Sequence, residues 1–527
     1  MNRLYGGKSL KKKGCIFLVS FLLLSNPFVF LSNGLSATFI RTKQAPESDS
    51  FNSQETTHGS LSSEWKMKLL NASDGEPYDS FGYSVSMSGN SAVIGAPGDD
   101  NYTGAAYIFK RHGTTWNQTE KLTAADGVPE DLFGWSVSLD GDICVIGAPG
   151  DSDNGNRSGA AYVFRDTGTV WILQAKLLAS DGAPIDLFGS SVSISGKIIL
   201  IGSVGDDDNG ESTGSAYIFT YNGATWIQQA KLLAFDETSY NGFGSSVAIS
   251  GKYAVIGFES IQDENTTEAA FVYRFDGNTW EQEIKLSAGT GLSGFGFSVS
   301  IHNDRIIVGA PYAGFYKGAV YIFKRNETSW VLEANLTGTD EYPLEMFGWV
   351  VSISEQYATT VGISLWSHNP SLYIFKRNET NWVLDAKIPL FDEPFGLRNW
   401  LCNTDTGVLV GIQAHNLSGA ALMVWKPQPF FEITWAGSSV SVTNIGDANA
   451  TDVIINRRMD GGFILFGKNK TVHFAEITIG ETKQARFGMS FGLGRTTILF
   501  SITCTEAVTY SKKQLAFIFF FFLMVIR

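Results

Sequence analysis

The strongest constraint on the fold of this chain is an internal repeat. The dipeptide Phe-Gly recurs every 48 to 55 residues, at Phe81, Phe133, Phe188, Phe243, Phe295, Phe347 and Phe395. Three further Phe-Gly pairs fall outside this period, at Phe466, Phe487 and Phe491. Each spaced pair is followed by one apolar run that ends near glycine and by a second that ends in aromatic residues. With a further run that opens with tryptophan, the period contains four short β-rich runs bounded by Gly, Ser, Asn and Asp turns, which predicts an all-β repeat protein.

The tryptophan-led runs indicate how the array ends. Six of them follow a spaced Phe-Gly pair, and they begin at Trp116, Trp171, Trp226, Trp280, Trp330 and Trp382. A seventh, "WKMKLL" from Trp65, precedes the first Phe-Gly, and none follows Trp425. A ring in which the first strand completes the last sheet uses every run and leaves only short edges. Residues 63–427 are therefore predicted to form a seven-bladed β-propeller with four-stranded blades, closed by the N-terminal strand. An open solenoid is the alternative, and it would need atypical capping repeats.

The repeat resembles the FG-GAP family, which is named for the motifs Phe-Gly and Gly-Ala-Pro. The two motifs occur together at Phe81-Gly82 with Gly95-Ala96-Pro97, at Phe133-Gly134 with Gly147-Ala148-Pro149, and at Phe295-Gly296 with Gly309-Ala310-Pro311. The resemblance covers about two thirds of the chain. It implies a propeller like that of integrin α subunits, which serves extracellular adhesion and ligand binding. Integrin-type repeats carry an Asp-x-Asp-x-Asp-Gly calcium loop before Gly-Ala-Pro, whereas this chain has tight turns there, such as "MSGNS" and "ISGKI". The resemblance therefore transfers no calcium residues.

Acidic residues concentrate in the loops of one predicted face. In a propeller, the loops from the second to the third strand and from a fourth strand to the next first strand emerge together. Loops of the first kind carry acids in repeats 1 to 3 and none in repeats 5 to 7, which read "YAGFYKG", "SLWSHNP" and "QAHNLSG". Loops of the second kind carry Asp74, Asp79, Asp126, Glu130, Asp131, Asp181, Asp186, Asp340 and Glu341.

These loops predict a calcium site. Carboxylate and amide oxygens in flexible loops suit Ca²⁺, which takes six to eight oxygen ligands. The predicted cofactor is therefore Ca²⁺, and its predicted ligands are Asp99, Asp100, Asp151, Asp153, Asp206 and Asp208. The alternative is that Asp, Asn and Gly form polar turns that keep an acidic protein soluble, since no loop follows the twelve-residue EF-hand pattern.

The N-terminal segment predicts export. Residues 1–37 combine a basic region, an apolar stretch and small residues near Ser36-Ala37, which is the layout of a signal peptide. An uncleaved N-terminal anchor is the alternative, because the apolar stretch is long. Residues 38–62 are polar and are interpreted as a linker. The protein is therefore predicted to be secreted or to lie at the cell surface.

Export makes N-glycosylation a further hypothesis. Asn-x-Ser/Thr sequons occur at Asn71, Asn101, Asn117, Asn156, Asn265, Asn326, Asn335, Asn378, Asn416, Asn449 and Asn469. Asn-rich turns also generate such sequons by chance, so the prediction concerns acceptor positions, and occupancy has to be measured.

Composition narrows the classes of partner. The 527-residue chain is 44% hydrophobic and 17% charged, so it can bury a large core. A net charge of −13 argues against nucleic acid and against an anionic membrane surface. Cys15 lies in the predicted signal, and Cys144, Cys402 and Cys504 are expected to be free thiols because they form no disulfide framework.

The last hundred residues depart from the repeat. Residues 428–527 keep short β-rich runs, which predict a small β-sandwich. The stretch "VTNIGDANATDVII" resembles the start of immunoglobulin-like modules common on microbial cell surfaces. The final apolar run, Leu515 to Ile526, is twelve residues long. As a helix it would reach about 18 Å against a hydrocarbon core of about 30 Å, so it is predicted to be a strand of the sandwich. The alternative is a lipid-touching tail or a processed anchor signal.

The glycine motifs that match enzymes have the wrong context. "GESTG" around Ser212 fits G-x-S-x-G but lies between two strands, and "GTGLSG" from Gly289 fits G-x-G-x-x-G but runs into a strand. The acids recur with the repeat, as structural turn residues would, and the tryptophans are expected to pack between blades. The sequence thus predicts a noncatalytic, exported binding or adhesion protein whose acidic face engages an extracellular protein or glycan, with calcium dependence. An extracellular hydrolase or lyase that uses carboxylates on the same face is the alternative.

Overall fold

The computed structural model describes residues 65–527 except for 211, 235–241, 259–267, 289–292, 339–344, 365–369, 380, 391–400, 413–418, 428–430, 437–438, 461–462, 467–468, 488–490, 505–509, 521 and 526–527. The predicted signal peptide and linker, the sequons at Asn265 and Asn416, and the acids Asp340 and Glu341 therefore lie outside the described residues.

The described part of residues 65–425 forms seven four-stranded antiparallel sheets. The chain begins with β1 (Lys66–Leu70), which belongs to sheet 7. Sheet 1 comprises β2 (Ser84–Ser88), β3 (Ser91–Ala96), β4 (Ala105–His112) and β5 (Thr115–Leu122). Sheet 2 comprises β6 (Ser136–Asp140), β7 (Ile143–Ala148), β8 (Ala160–Asp166) and β9 (Trp171–Leu177). Sheet 3 comprises β10 (Phe188–Ser195), β11 (Ile198–Ser203), β12 (Ser215–Tyr221) and β13 (Trp226–Leu232).

The remaining four sheets repeat this strand order. Sheet 4 comprises β14 (Phe243–Ser250), β15 (Tyr253–Phe258), β16 (Ala270–Phe275) and β17 (Trp280–Leu286). Sheet 5 comprises β18 (Ser298–His302), β19 (Arg305–Ala310), β20 (Ala319–Arg325) and β21 (Trp330–Leu336). Sheet 6 comprises β22 (Val350–Ile353), β23 (Tyr357–Ile363), β24 (Pro370–Asn378) and β25 (Asn381–Pro389). Sheet 7 comprises β26 (Leu401–Thr404), β27 (Gly407–Ile412) and β28 (Ala420–Trp425), with β1 beside β28.

Burial explains why the strands of one sheet differ in sequence. The second strands, such as β3 and β11, read as continuous apolar runs and are buried almost throughout, because neighbouring sheets cover both of their faces. The fourth strands, such as β5, alternate buried and exposed positions, because they lie at the outer edge. Each described fourth strand of sheets 1 to 6 also shifts register once against the third strand, and such a bulge blunts an exposed edge.

The N-terminal strand completes the last sheet. β1 pairs antiparallel with β28, from Lys66 opposite Trp425 to Leu70 opposite Ala421. The sheet order β1-β28-β27-β26 places β1 in the position that the tryptophan-led strand holds in the other sheets. The split strand set that was predicted from the tryptophan count is therefore present in sheet 7.

Hydrophobic cores join each sheet to the next. One cluster lies between each consecutive pair from sheets 1 and 2 to sheets 6 and 7. A further cluster packs Leu409 and Met423 of sheet 7 against Phe81 and Val85 of the sheet 1 repeat. The last sheet therefore shares a core with the first.

The two motifs of the repeat meet across neighbouring sheets. Phe188 is fully buried and its ring lies edge-on to Tyr217 of its own sheet, 5.3 Å between centroids. Gly189 has φ +89°, a conformation that favours glycine, and its carbonyl oxygen faces Gly147 of sheet 2. Ser136 Oγ donates to the same carbonyl at 2.8 Å. The Phe-Gly of one repeat therefore packs onto the Gly-Ala-Pro glycine of the preceding repeat.

The tryptophans pack between sheets, as predicted. They are 4–9% exposed, and five of them donate Nε1–H to the residue that bulges from the fourth strand of the preceding sheet. These pairs are Trp226 with Gln174 (3.1 Å), Trp280 with Gln229 (3.3 Å), Trp330 with Glu283 (3.1 Å), Trp382 with Glu333 (3.2 Å) and Trp65 with Asp385 (3.0 Å). Trp65, which precedes β1, thus makes toward sheet 6 the bond that its counterparts make elsewhere.

The C-terminal region consists of two sheets around one core. The first contains β29 (Phe431–Ala436), β30 (Ser439–Asn444) and β34 (Thr482–Arg486). The second contains β31 (Ala450–Asp460), β32 (Phe463–Phe466), β33 (Asn469–Ile477), β35 (Phe491–Thr503), β36 (Tyr510–Phe520) and β37 (Phe522–Val525). Val440 and Val442 of the first sheet share a cluster with Val453 and Ile455 of the second.

This region contacts the seam of sheet 7. Asp447 Oδ2 accepts a hydrogen bond from Trp425 Nε1 at 2.8 Å and lies 3.6 Å from Lys66 Nζ. One carboxylate therefore bridges the last strand of sheet 7 and the N-terminal strand that pairs with it.

In the terminal apolar segment, β36 pairs antiparallel with β35, and β37 pairs with β36. No helix among the described residues is long and apolar enough to cross a membrane. Among the described residues, Cys144 and Cys402 are free thiols.

Candidate functional site

The acid-rich loops of sheets 1 to 3 form the candidate site, and we call them the loop face. They comprise the described residues 71–80, 98–104, 123–132, 149–159, 178–187, 204–210 and 212–214, with fifteen acids and one arginine. The loop from second to third strand in sheet 1 contains the single turn α1 (Asp99–Tyr102). Backbone bonds join consecutive loops: Leu132 N–H donates to Tyr102 O at 3.0 Å, and Ile185 N–H donates to Asn156 O at 2.9 Å. The loop face is therefore continuous across three sheets.

In sheet 3 the acids surround a lysine. Lys231 Nζ lies 2.9 Å from Asp181 Oδ2, 2.8 Å from Asp206 Oδ2 and 2.5 Å from Asp208 Oδ2. The Tyr217 hydroxyl oxygen lies 2.7 Å from Asp206 Oδ2 and 3.0 Å from Asp181 Oδ1, so its single proton is shared between the two carboxylates. Asp206 is almost fully buried, whereas Asp181 and Asp208 are partly exposed. We call these five residues cluster 3.

Sheet 2 repeats the arrangement as cluster 2. Lys176 Nζ lies 2.7 Å from Asp126, 2.8 Å from Asp151 and 2.6 Å from Asp153. The Tyr162 hydroxyl oxygen lies 3.0 Å from both Asp126 Oδ1 and Asp151 Oδ2, and its single proton is shared between them. In both clusters two carboxylates come from the loop between the second and third strands and one comes from the loop that leads into the sheet.

Cluster 1 in sheet 1 is smaller. Lys121 Nζ lies 2.7 Å from Asp74 and 2.5 Å from Asp99, and the Tyr107 hydroxyl donates to Asp99 at 2.8 Å. The loop 98–104 is three residues shorter than its counterparts 150–159 and 205–214, so no residue takes the place of Asp153 or Asp208. Asp100 is exposed and is not among the carboxylates around Lys121.

The ion pairs decide the charge states within the clusters. Burial by itself raises the pKa of Asp206, but hydrogen bonds from Lys231, Tyr217 and Ser215 outweigh it and lower that pKa below its usual value. Burial by itself lowers the pKa of Lys231, but bonding to Asp206, Asp208 and Asp181 raises it. The pKa of Lys176 is raised in the same way, because its bonds to Asp126, Asp151 and Asp153 outweigh the effect of burial. Each of clusters 2 and 3 therefore combines three carboxylates with one ammonium group and carries a net negative charge at neutral pH.

A second set of acids accepts hydrogen bonds from the backbone of the loops that lead into sheets 1 to 3. Asp79, Asp131 and Asp186 are buried, and each accepts a hydrogen bond at 2.7–2.8 Å from the backbone N–H three residues earlier. Burial raises the pKa of all three carboxyls. For Asp186 the pKa rises to about 6, because the charges of Asp206 and Asp207 add to burial and outweigh the bond from Ala183 N–H.

This pKa predicts that Asp186→Asn stabilises the protein at neutral pH. The folded pKa lies above the unfolded value of 3.8, so the protonated carboxyl contributes stability below pH 4 that is lost as the pH rises through 6. The variant should gain up to about 3 kcal/mol over the wild type at pH 7.5 and less than about 1 kcal/mol at pH 4. Urea unfolding across this range measures the difference. Asp142→Asn, which removes an exposed carboxylate, is the control, and a pH-independent difference for Asp186→Asn would contradict the argument.

The other sheets show which residues belong together. Lys121, Lys176 and Lys231 each pair directly across the sheet with the cluster tyrosine. The corresponding residue is Asn335 in sheet 5 and Leu69 in sheet 7, and the loops from second to third strand in these repeats, "YAGFYKG" and "QAHNLSG", carry no acid. In sheet 6, Lys387 lies over the ring of Tyr373, whose hydroxyl donates to Glu345. The lysine and the acids of this loop are therefore both missing in sheets 5 and 7, whereas sheet 6 keeps the lysine together with a single acid, Glu345, from the loop that leads into the sheet.

The structure thus brings five of the six predicted calcium ligands into clusters and leaves Asp100 outside. Sequence reasoning missed the three lysines, the tyrosines, and the contributions of Asp74, Asp126 and Asp181. A signal was present, since each lysine is the fifth residue after the repeat tryptophan. Among the described residues, no group of His, Cys, Asp and Glu has the arrangement of a metal site. The calcium site itself stays a prediction.

Bulky apolar side chains project from the same end of the sheets. Tyr78, Tyr102 and Ile185 are 61%, 49% and 59% exposed. Their φ angles are +78°, +66° and +75°. This region of backbone conformation is unfavourable for any residue with a Cβ atom, and most of all for β-branched residues. In sheet 5, the single turn α2 (Ala313–Tyr316) shows the same combination at Phe315, which is 91% exposed with φ +61°. These side chains contribute little to the core, and their backbone conformation is costly.

The predicted glycosylation acceptors are accessible. All nine described sequon asparagines are exposed: Asn71, Asn101, Asn117, Asn156, Asn326, Asn335, Asn378, Asn449 and Asn469. Asn71, Asn101 and Asn156 lie on the loop face.

The sheets and the loop face define a class of protein, namely a repeat protein built from four-stranded antiparallel sheets with an acid-rich end. Five of its repeats match the FG-GAP repeat family, at residues 66–109, 116–164, 171–219, 226–273 and 280–323. The chain therefore contains FG-GAP repeats, which together cover less than half of it. No curated protein matches the chain significantly. A structure of YjhT aligns with 57% of this chain and 98% of its own, at 14% identity and a TM-score of 0.35.

Proposed function

We propose that this protein is an exported, noncatalytic binding or adhesion protein whose seven sheets close into a β-propeller and whose loop face engages an extracellular protein or glycan. Closure is supported by the pairing of β1 with β28 and by the core shared between sheets 7 and 1. A closed ring gives loops from several sheets one rigid platform, which is how scaffolds usually carry binding residues.

The observation that carries the binding role is the exposure of bulky side chains on left-handed backbone. Tyr78, Tyr102 and Ile185 lie where glycine would be favoured, yet they are half-exposed or more. Tyrosine is enriched at binding hot spots, and strained exposed residues cluster at ligand-contacting sites. The carboxylates of the loop face outnumber its cations. They offer hydrogen-bond acceptors to a polar ligand, and their charge makes binding selective for partners of complementary charge.

The experiment replaces the three side chains by glycine. A Tyr78→Gly, Tyr102→Gly, Ile185→Gly variant keeps the charge and relieves the backbone, so its melting temperature should stay within about 3 °C of the wild type. Binding to ligands found in a glycan and surface-protein screen should fall at least about tenfold, since hot-spot side chains contribute about 2 kcal/mol or more each. Val331→Ser with Leu332→Ser, in exposed positions of β21, is the matched control and should bind normally.

Export and glycosylation are part of the proposal. The basic and apolar N-terminal sequence and the exposure of every described sequon asparagine support them. The screen therefore uses protein from a secreting host, with its mass measured before and after deglycosylation. Because Asn101 and Asn156 lie on the loop face, binding is measured on both forms. Parallel runs with Ca²⁺ and with a chelator measure calcium dependence.

A hydrolase or lyase is the second candidate, and the raised pKa of Asp186 is the observation that favours it. A carboxyl that titrates near 6 suits general acid catalysis. Asp186 is only 4% exposed, however, and it caps the Ala183 amide. The recurrence of the same cap at Asp79 and Asp131 supports a structural role instead. Turnover in a hydrolase panel that is abolished by Asp186→Asn would replace the binding proposal by this one.

A further inference from the structure

The centre of each lysine cluster already contains a cation. In cluster 3, three carboxylate oxygens from two loops converge within 2.5–2.9 Å of Lys231 Nζ. In cluster 2 the corresponding distances to Lys176 Nζ are 2.6–2.8 Å. Convergent carboxylates from flexible loops are the donor set that Ca²⁺ takes. The carboxylates are the type of ligand that Ca²⁺ takes, but the point where their oxygens converge is filled by an ammonium group.

We propose that Lys121, Lys176 and Lys231 replace a bound divalent cation, so that sheets 1 to 3 hold their loops together without calcium and removal of a lysine creates a calcium site. The ammonium group performs the same electrostatic task as a metal ion, because it neutralises carboxylates from separate loops and holds them together. The cation is covalently attached, so the loop face keeps its shape whatever the external calcium concentration.

Comparison among the sheets supports this assignment. If the acids existed for calcium or for solubility, they would have no reason to accompany a lysine. Sheets 5 and 7 have Asn335 and Leu69 in the lysine position, and their loops between the second and third strands lack acids. Sheet 6 has Lys387 in that position, and although its corresponding loop also lacks acids, Glu345 from the loop that leads into the sheet accepts a hydrogen bond from the tyrosine opposite the lysine. The three lysines are also fixed in place, since each lies over the ring of the tyrosine opposite, at 5.2–5.3 Å.

The test removes one ammonium group and keeps its carboxylates. Lys231→Met retains the aliphatic length of the side chain but leaves Asp181, Asp206 and Asp208 without their cation. The variant should melt well below the wild type, because a buried carboxylate is left uncompensated. Millimolar Ca²⁺ should restore at least half of the loss and should move the wild type by less than about 1 °C. The variant is expected to bind Ca²⁺ with a dissociation constant on the order of 10⁻⁴–10⁻³ M.

Terbium provides a readout that does not depend on stability. The Tyr217 hydroxyl bonds to Asp206 and Asp181, so a lanthanide bound in cluster 3 would lie close enough for tyrosine-sensitised emission. Lys231→Met should show saturable emission that Ca²⁺ displaces, and addition of Asp206→Asn and Asp208→Asn should abolish it. Lys110→Met removes a lysine that pairs with the single carboxylate of Asp166 at 2.7 Å, and this control should gain no emission.

Two results would overturn the proposal. One is saturable Ca²⁺ binding by the wild-type protein that Asp151→Asn or Asp206→Asn removes, because the lysines would then not exclude the metal. The other is a folded Lys231→Met variant that neither binds terbium nor responds to Ca²⁺. If Lys231→Met does not fold, Lys121→Met in the smaller cluster 1 replaces it, and the wild-type titration still decides the first point. None of these outcomes depends on whether the loop face binds a partner.

Discussion

A chain that begins at Ser73, and so lacks β1, should lose most of the stability of the repeat region. β1 forms five residue pairs with β28, and Trp65 and Leu70 contribute buried side chains to the cores on either side of sheet 7. Burial of these two side chains alone is worth about 4 kcal/mol, before the exposed edge of β28 is counted. The expected loss is about 5 kcal/mol or more, with aggregation through the free edge.

Thermal unfolding and light scattering measure this effect. The control is a chain that lacks residues 1–62 and retains Trp65 and β1, which should melt like the full protein. A second variant, Asp447→Ala, removes only the carboxylate that bridges Trp425 and Lys66 and should cost far less. Cooperative melting of the Ser73 chain at the parent temperature would show that sheet 7 does not need the N-terminal strand.

The second large effect is expected for Gly147→Ala, the smallest possible change to the repeat motif. A methyl group at Gly147 would overlap the carbonyl oxygen of Gly189 and the hydroxyl of Ser136. The carbonyl belongs to the backbone of the next sheet, so relief requires two sheets to separate. Overpacking in a core usually costs about 1–3 kcal/mol. The cost here should be about 3 kcal/mol or more, because a backbone carbonyl, unlike a side chain, cannot rotate away from the contact.

Gly168→Ala separates this clash from the general effect of replacing a glycine. Gly168 has φ +87° and nothing within 4 Å of an added methyl group, so the substitution carries only the conformational cost of about 1 kcal/mol. Chemical denaturation of both variants gives the comparison. Equal losses for the two would mean that the contact between Gly147 and Gly189 is not as close as the structure has it.

Much of the fold could be predicted from the sequence because it is encoded locally. Apolar runs of five to eight residues between Gly and Asn turns specify strands, and a period near 52 residues specifies that the strands group in fours. The surplus tryptophan strand before the first Phe-Gly predicted the pairing of β1 with β28, since an unpaired strand would expose its hydrogen-bonding groups. The immunoglobulin-like character of residues 428–527 remains a prediction.

The candidate site was only half predictable. The positions of the acids within the repeat predicted that they lie at one end of the sheets, because the antiparallel strand order fixes which loops emerge together. It did not reveal Lys231, because that residue reads as an ordinary surface lysine of an edge strand and lies 25 residues from Asp206 in the sequence. Nor could it separate Asp99, which pairs with Lys121, from its neighbour Asp100, which points to solvent.

The sequence by itself determined the strands, their grouping into sheets and the completion of sheet 7 by the N-terminal strand, because hydrophobic periodicity and turn residues act over a few neighbouring positions. Only the tertiary structure decided what the acids do. A carboxylate binds whichever cation lies within about 3 Å, and that depends on how two loops and a strand end from three separate segments converge. In sheets 1 to 3 these segments bring an ammonium group into the centre of the acids, and no local pattern of Asp and Gly specifies that outcome.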